Sequence, residues 1–216
     1  MNLKKKFSES DLNRIKAAVR EAESKISGEI VPVIVGKSGY YTVANYKGCF
    51  LLASIVFVSI IIFDRYVPQY AVYDPLMIFL FVLTGGLAGA ALANYVPWVK
   101  RMLLSQQHLD HATRQRAENA FLEEEVFNTR HRTGIMIFVS FFEHEVIVMA
   151  DSGISKVVEQ KEWDKIVNTL TTNIRKGKIV EGLELALKRC GEILLDKGFV
   201  IEADDKNELR DDLRIN

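Results

Sequence analysis

Two stretches in the middle of the chain interrupt the mixture of polar and apolar positions found elsewhere. Gly48 to Phe63 and Pro75 to Val99 are apolar and hold no charged residue, and a short loop, Asp64 to Asp74, separates them. The second stretch has 25 residues, which as a helix is about 37 Å against about 30 Å for a hydrocarbon core. The first has 16 residues, about 24 Å. It reaches a spanning length if the turn through Tyr46 joins it and Lys47 reaches back to the headgroups. Tyr40, Tyr41, Tyr46, Tyr66, Tyr70, Tyr73, Tyr95 and Trp98 all flank these stretches. Amphipathic rings collect where lipid meets water, so the pattern predicts a transmembrane hairpin over residues 46–101 rather than two core helices.

Outside the hairpin the spacing is that of an α/β domain. Ser8 and Asp11 form a capping-box pattern, with Phe7 and Leu12 placed as a hydrophobic staple. Leu12, Ile15, Val19, Ala22 and Ile26 follow as one apolar stripe, and Gly28 ends that helix. Ile30 to Val35 reads as a buried strand, with Pro32 suggesting an edge or a bulge. Leu103 to Asn128 reads as a helix. Gly134 to Phe141 and Glu145 to Ala150 read as antiparallel neighbours, joined by a solvated turn at Glu143 and His144. Two amphipathic helices follow, ending at Gly177 and Gly198. One helix and one strand cannot form a core alone. The pieces before and after the hairpin are therefore expected to fold as one discontinuous α/β domain, residues 1–45 and 102–200. Residues 201–216 carry six acids, Glu202, Asp204, Asp205, Glu208, Asp211 and Asp212, and are expected to be a solvated tail.

Charge changes the picture in two ways. Lys and Arg total 28 and so do Asp and Glu, which argues against nucleic acid as a partner. Lys37, Lys47, Lys100 and Arg101 lie outside the hairpin, whereas the loop holds only Arg65. This bias predicts a two-pass protein of the inner or plasma membrane with its soluble domain cytoplasmic. The basic start, Met1 to Lys6, leads into a polar helix, so no cleavable signal peptide is expected. Cys49 and Cys190 are not expected to pair. Gly85 and Gly89 form a small-residue face, as do Gly86 and Ala90. Such faces suit packing of the two hairpin helices, with a homodimer through Gly85 and Gly89 as the alternative. No acid or base lies within the spans, so a proton or ion path has no parts. His108 and His111 stand one turn apart, but no clear third metal ligand accompanies them.

The run Glu29-Ile30-Val31-Pro32-Val33-Ile34-Val35, then Arg132-Thr133-Gly134-Ile135-Met136-Ile137-Phe138, then Glu145 through Asp151-Ser152-Gly153-Ile154, resembles the TPM domain family. That family takes its name from thylakoid-lumen, photosystem-associated and acetylcholine-receptor-accessory members. Ile174-Arg175-Lys176-Gly177-Lys178 and Glu181-Gly182-Leu183 resemble its closing helices. The likeness is to bacterial membrane members with a hairpin inside the domain. It implies an α/β/α sandwich, here interrupted by the two transmembrane helices. Some relatives are described as acid phosphatases or calcium binders, and others as accessory factors of membrane complexes. Relatives often carry an acid at the position of Gln160, which here has Glu159 and Glu162 alongside.

Asp151 and Ser152 lie where a strand meets a loop, a common ligand-binding edge in open α/β sheets. Asn128, Arg130, His131 and Arg132 lead into the preceding strand. If Arg130 and Arg132 converge on Asp151, they make an anion-binding fork beside a carboxylate. That set would suit a phosphate-bearing ligand, with Asp151 or Glu159 as base or as ligand to a divalent metal, calcium or magnesium. The local alternative is that the arginines complement a helix end while Asp151 caps a turn. Two functions follow: a membrane-anchored accessory or scaffold that binds a partner protein or small ligand, and a weak metal-dependent phosphatase or hydrolase.

Overall fold

A computed structural model describes residues 6–201 and 207–216. The chain divides into two compact units: one runs to Ser38 and resumes at Asp110, and the other is Gly39–Leu109. In chain order the elements are α1 (Glu9–Glu23), β1 (Glu29–Val35), α2 (Thr42–Tyr66), α3 (Pro75–Tyr95), α4 (Pro97–Met102), α5 (Gln106–Glu123), β2 (Gly134–Ser140), β3 (Glu145–Ala150), α6 (Ser152–Ser155), α7 (Gln160–Arg175), α8 (Ile179–Asp196) and β4 (Arg214–Ile215).

The first unit is built on a four-stranded sheet ordered β3-β2-β1-β4. β1 and β2 are parallel, from Glu29 opposite Gly134 to Val35 opposite Ser140. β3 returns antiparallel, from Ser140 opposite Glu145 to Ile135 opposite Ala150. β1 and β2 are buried along their whole length because both faces are covered. Alternation along each strand sorts the side chains. Ile30, Ile34, Ile135 and Ile137 meet Ile15 and Val19 of α1, Ile166 and Leu170 of α7, and Leu183 and Leu187 of α8. Val31, Val33, Met136 and Phe138 meet Ala117 and Ala120 of α5 on the other face. The fold is an α/β/α sandwich.

Local signals explain the element ends. Ser8 Oγ accepts from the Asp11 backbone N–H at 3.1 Å, and the Asp11 carboxylate accepts from the Ser8 N–H at 2.9 Å, so the capping box forms. α1 stops at Glu23, ahead of Gly28, because Ser24 already caps it and Ile26 bridges to Val200. α5 is shorter than the expected helix at both ends. The chain breaks after Met102, and Glu125 takes a left-handed φ of 52° while the Val126 N–H returns to the Phe121 carbonyl. That geometry terminates a helix.

Pro32 does not mark an outer strand, since β1 lies between β2 and β4. It sits instead on the side of β1 that is only partly paired. β4 contacts β1 only at Val33 and Ile34, and two residues earlier the Ile30 N–H is met by Glu23 Oε1 at 2.9 Å rather than by a strand. A residue without an N–H loses nothing there.

The last ten residues are not a solvated tail. β4 pairs in parallel with β1, and the Asn216 N–H donates to the Ile34 carbonyl at 3.0 Å. Asp211 and Arg214 are 6% and 7% exposed. The acids meet cations from the rest of the unit: Arg20 Nε lies 2.5 Å from Asp211 Oδ2, and Lys16 Nζ lies 2.7 Å from Asp212 Oδ1. Arg214 donates in turn to Glu124 Oε2 at 3.0 Å. Glu202, Asp204 and Asp205 lie outside the described residues.

In the second unit α2 and α3 form a hairpin, and both are long and apolar enough to cross a membrane. Asp74 Oδ1 accepts from the Leu76 and Met77 N–H groups at 2.8 and 3.3 Å and caps α3, with Pro75 at its first position. The second span ends at Tyr95, not Val99, because Pro97 lacks an N–H and holds Val96 extended. The small residues of α3 face α2. A Cβ on Gly48 would lie 2.6 Å from the Gly89 carbonyl oxygen, and one on Gly85 would lie 2.7 Å from Val56 Cγ2. Gly85 and Gly89 are thus used for packing within the chain. Ser59 and Thr84 hydroxyls bond carbonyls of their own helices, at Ile55 and Leu80. Lys47 Nζ bonds the Leu103 carbonyl at 3.0 Å.

Candidate functional site

Arg132 and Asp151 come together, and local backbone geometry makes them do so. Thr129 Oγ1 accepts from the Thr133 N–H at 2.9 Å, and the Thr129 carbonyl accepts from the Arg132 N–H at 3.1 Å. Arg132 itself takes a left-handed φ of 58°. This tight turn delivers the chain into β2 and directs the guanidinium at the end of β3. There Arg132 Nε is 2.6 Å from Asp151 Oδ2, and Nη2 is 3.0 Å from Oδ1. The Arg132 carbonyl accepts from the Gly153 N–H at 3.0 Å. The backbones approach so closely that a Cβ on Gly153 would meet the His131 and Arg132 carbonyl oxygens at 2.6 and 2.7 Å. The guanidinium also lies 5.8 Å from the Phe127 ring centroid.

Asp151 is 5% exposed, and its oxygens are already engaged. Besides the two-pronged ion pair, Oδ1 accepts from the Ser152 N–H at 2.6 Å and caps α6. A divalent cation would bind through carboxylate lone pairs and supply the compensating positive charge. Here the guanidinium takes that place, so Asp151 does not fit a metal in this arrangement. Among the described residues no group of three or more His, Cys, Asp and Glu side chains is placed to hold a metal. Asp151 is thus a carboxylate that caps a turn and is neutralised by a fork-shaped donor.

The other expected members are placed elsewhere. Arg130 is exposed, and its backbone N–H donates to the Glu208 carboxylate at 3.0 and 3.2 Å. Glu208 in turn donates its N–H to Glu29 Oε1 at 2.9 Å. The Ser152 side chain is exposed. Glu159 stands at the N-terminus of α7, exposed and without a side-chain capping bond. Asn128 bonds Glu125, Gln160 bonds Asp164, and Glu162 bonds Lys165. His108 packs edge-on against Tyr41, ring centroids 5.8 Å apart.

Strand direction places the Arg132–Asp151 pair at an unexpected edge. Asp151 follows β3, which is antiparallel, so it lies beside the starts of β1 and β2 rather than their ends. Parallel sheets bind ligands outside the carboxyl ends of their strands, which here are Val35 and Ser140. Glu143 lies at that edge and is buried, not solvated. Its carboxylate accepts from the Ser38 N–H at 2.8 Å and from the Ser140 hydroxyl, and Ser38 Oγ bonds Ser140 Oγ at 2.9 Å. His144, next in the turn, is exposed with a φ of 57°. Glu145 is held above the usual carboxylate range, first by burial, against a hydrogen bond from Thr113, with Asp110 and Glu143 adding repulsion. The signal for this cluster was the acidic pair around His144 directly after a strand parallel to β1. Without strand directions it reads as an ordinary turn.

A family model described as TPM domain matches residues 101–193. Among solved structures, the chain resembles the NMR structure of the BA42 protein from the psychrophilic bacterium Bizionia argentinensis sp. nov. The TM-score is 0.60 with 18% identity, over 97% of this chain and 95% of that one. At that identity the likeness concerns the fold. No curated protein matches the chain.

Proposed function

We propose that this chain, whose residues 101–193 match a TPM domain, is a membrane-anchored accessory of that kind, held by the α2–α3 hairpin in the inner or plasma membrane. Its sandwich domain binds a partner protein or a small ligand on the cytoplasmic side. The anchor reading is supported by the side chains of the hairpin. Phe50, Phe57, Ile61, Phe79 and Leu87 are exposed although apolar, which water disfavours and lipid does not. Tyr46, Tyr66, Tyr70, Tyr73, Tyr95 and Trp98 are exposed around the hairpin's ends. The Ser59 and Thr84 hydroxyls are bonded to their own helices, as hydrocarbon requires. The cytoplasmic side rests on Lys37, Lys47, Lys100 and Arg101 against Arg65.

The observation that carries the accessory reading over the hydrolytic one is the closure of Asp151 by Arg132. A general base or metal ligand needs an accessible lone pair, and this carboxylate is 5% exposed and already accepts three hydrogen bonds. The test is affinity purification of the full chain in mild detergent from its own membranes. A second protein recovered in fixed proportion supports the reading. Recovery of the chain alone, or phosphate release by the purified chain with magnesium or calcium, overturns it.

A further inference from the structure

The sheet face that carries α7 and α8 is left open at one end. A cavity of about 450 Å3 lies there, between the β2–β3 turn and the junction of α7 with α8. Its wall is apolar. Val139 and Val146 belong to the core, and Phe141, Ile174 and Ile179 are partly buried against it. Its polar lining includes Thr171 and two cations, Lys6 and Arg175.

Both cations are exposed, and no carboxylate answers them. Among the described residues the Arg175 side chain makes no hydrogen bond or ion pair, and Lys6 is placed over the Phe141 ring, Nζ 5.0 Å from its centroid. The carboxylate on the lining is that of Glu145, and it belongs to the opposite face. Along β3, Val146 and Val148 join the core under α7 and α8, while Ile147 and Met149 join the core under α5. Glu145 falls on the α5 side by the same alternation, where it is hydrogen-bonded to Thr113. The larger groove between α1 and α8 is different. It carries four acids, Glu21, Glu181, Glu184 and Glu192, against Arg14, Lys25 and Lys188, and Arg14 and Lys25 are paired with Glu184 at 2.8 Å and Glu21 at 3.7 Å.

We propose that the cavity binds a small amphipathic carboxylate. The Arg175 guanidinium takes the carboxylate head and Lys6 adds a second positive charge. The apolar body lies on Phe141, Val146 and Ile179. The volume is within the range of small-molecule sites, which pair an apolar wall with a few polar groups. A guanidinium matches a carboxylate with two parallel bonds. One such fork beside a lysine already drawn to a ring suits a monoanion. This inference goes beyond the anchored-accessory reading and does not depend on it.

The test titrates phenylbutyrate into the full chain in mild detergent, followed by calorimetry and amide NMR shifts. Saturable binding is expected, with shifts centred on Phe141, Val146 and Ile179. Acetate carries the head alone and phenylbutanol the body alone, and each should bind at least about tenfold more weakly than the acid. Arg175→Gln and Lys6→Gln should each weaken the acid by about tenfold, the loss of one charge-assisted contact. Arg14→Gln, the same charge change in the α1–α8 groove, should leave it unaltered. Absence of saturation, equal binding of the alcohol, or parental affinity in both Arg175→Gln and Lys6→Gln overturns the proposal. The acid-against-alcohol comparison uses the parent chain, so it holds whatever the variants do to folding.

Discussion

Arg132 and Asp151 close on one another through two parallel contacts, Nε to Oδ2 at 2.6 Å and Nη2 to Oδ1 at 3.0 Å, where the turn that leads into β2 lies beside the end of β3. The partners are unequally placed: the arginine side chain is 54% exposed and the aspartate 5%. Removing one is therefore not equivalent to removing the other. Arg132→Ala strands a buried carboxylate and should lower the unfolding free energy by about 1–3 kcal/mol. Asp151→Asn keeps an oxygen for the Ser152 N–H and leaves a guanidinium that water can serve, so it should cost less. Urea unfolding in mild detergent, read from the buried Trp163, checks the order. Equal losses would count against the pair as described.

Glu23 makes stability depend on pH. Burial is the main reason its carboxyl is pushed up to about 8 from 4.5, reinforced by Glu29 and Asp211 and opposed by the Ile30 N–H and by Arg214. The folded chain therefore holds a proton that the unfolded chain has released. The sign follows: this contribution is full below about pH 4.5 and is lost as pH rises towards about 8, near 1.4 kcal/mol per unit of difference. Glu23→Gln keeps an acceptor for Ile30 and has no proton to lose. Its stability should fall less between pH 5 and 8 than that of the parent, and above pH 8 it should be the more stable chain. Parallel slopes in melts across this range would refute the assignment.

The C-terminal strand should matter more than its two residues suggest. Arg214 bonds Glu124 Oε2 at 3.0 Å and the carbonyls of Arg210, at 2.6 Å, and of Asp212. Arg214→Ala leaves a largely buried Glu124 and two carbonyls without that donor, and about 2–4 kcal/mol of stability should go with it. Hydrogen exchange should show faster exchange of the Asn216 and Gly36 amides, which the strand holds in place.

Within the hairpin, Gly89→Leu should be far worse than Leu87→Ala. A side chain at Gly89 runs into the backbone of Gly48, whereas Leu87 is 62% exposed. The first should lower the melting temperature in detergent by several degrees, and the second should change it little. If the two variants melt together, α2 and α3 do not pack along these glycines.

Much of the molecule was legible locally. The capping box at Ser8, the strand β3 from Glu145 to Ala150, and the helix ends at Gly177 and Gly198 all depend on residues close in sequence. Those glycines take φ of 76° and 87°, the left-handed cap that their position suggested. Pro97 was just as local a signal, and its effect on the length of α3 follows from its missing N–H. The candidate site was legible only in part. Arg132 and Asp151 lie 19 residues apart along the chain and meet as a fork, whereas Arg130 and Glu159 are exposed.

Sequence alone determined the two apolar helices, the buried strands and the amphipathic faces of α1, α7 and α8, because periodicity and capping act within a few residues. The tertiary structure decided which sheet edge Asp151 occupies, that Glu143 is buried and that residues 214–215 form a strand. Each of these depends on the direction and register of segments about a hundred or more residues apart in the chain, Val33 beside Arg214 and Ser38 beside Glu143. Such pairings are chosen by the packing of the whole core, and no short stretch of the chain encodes them.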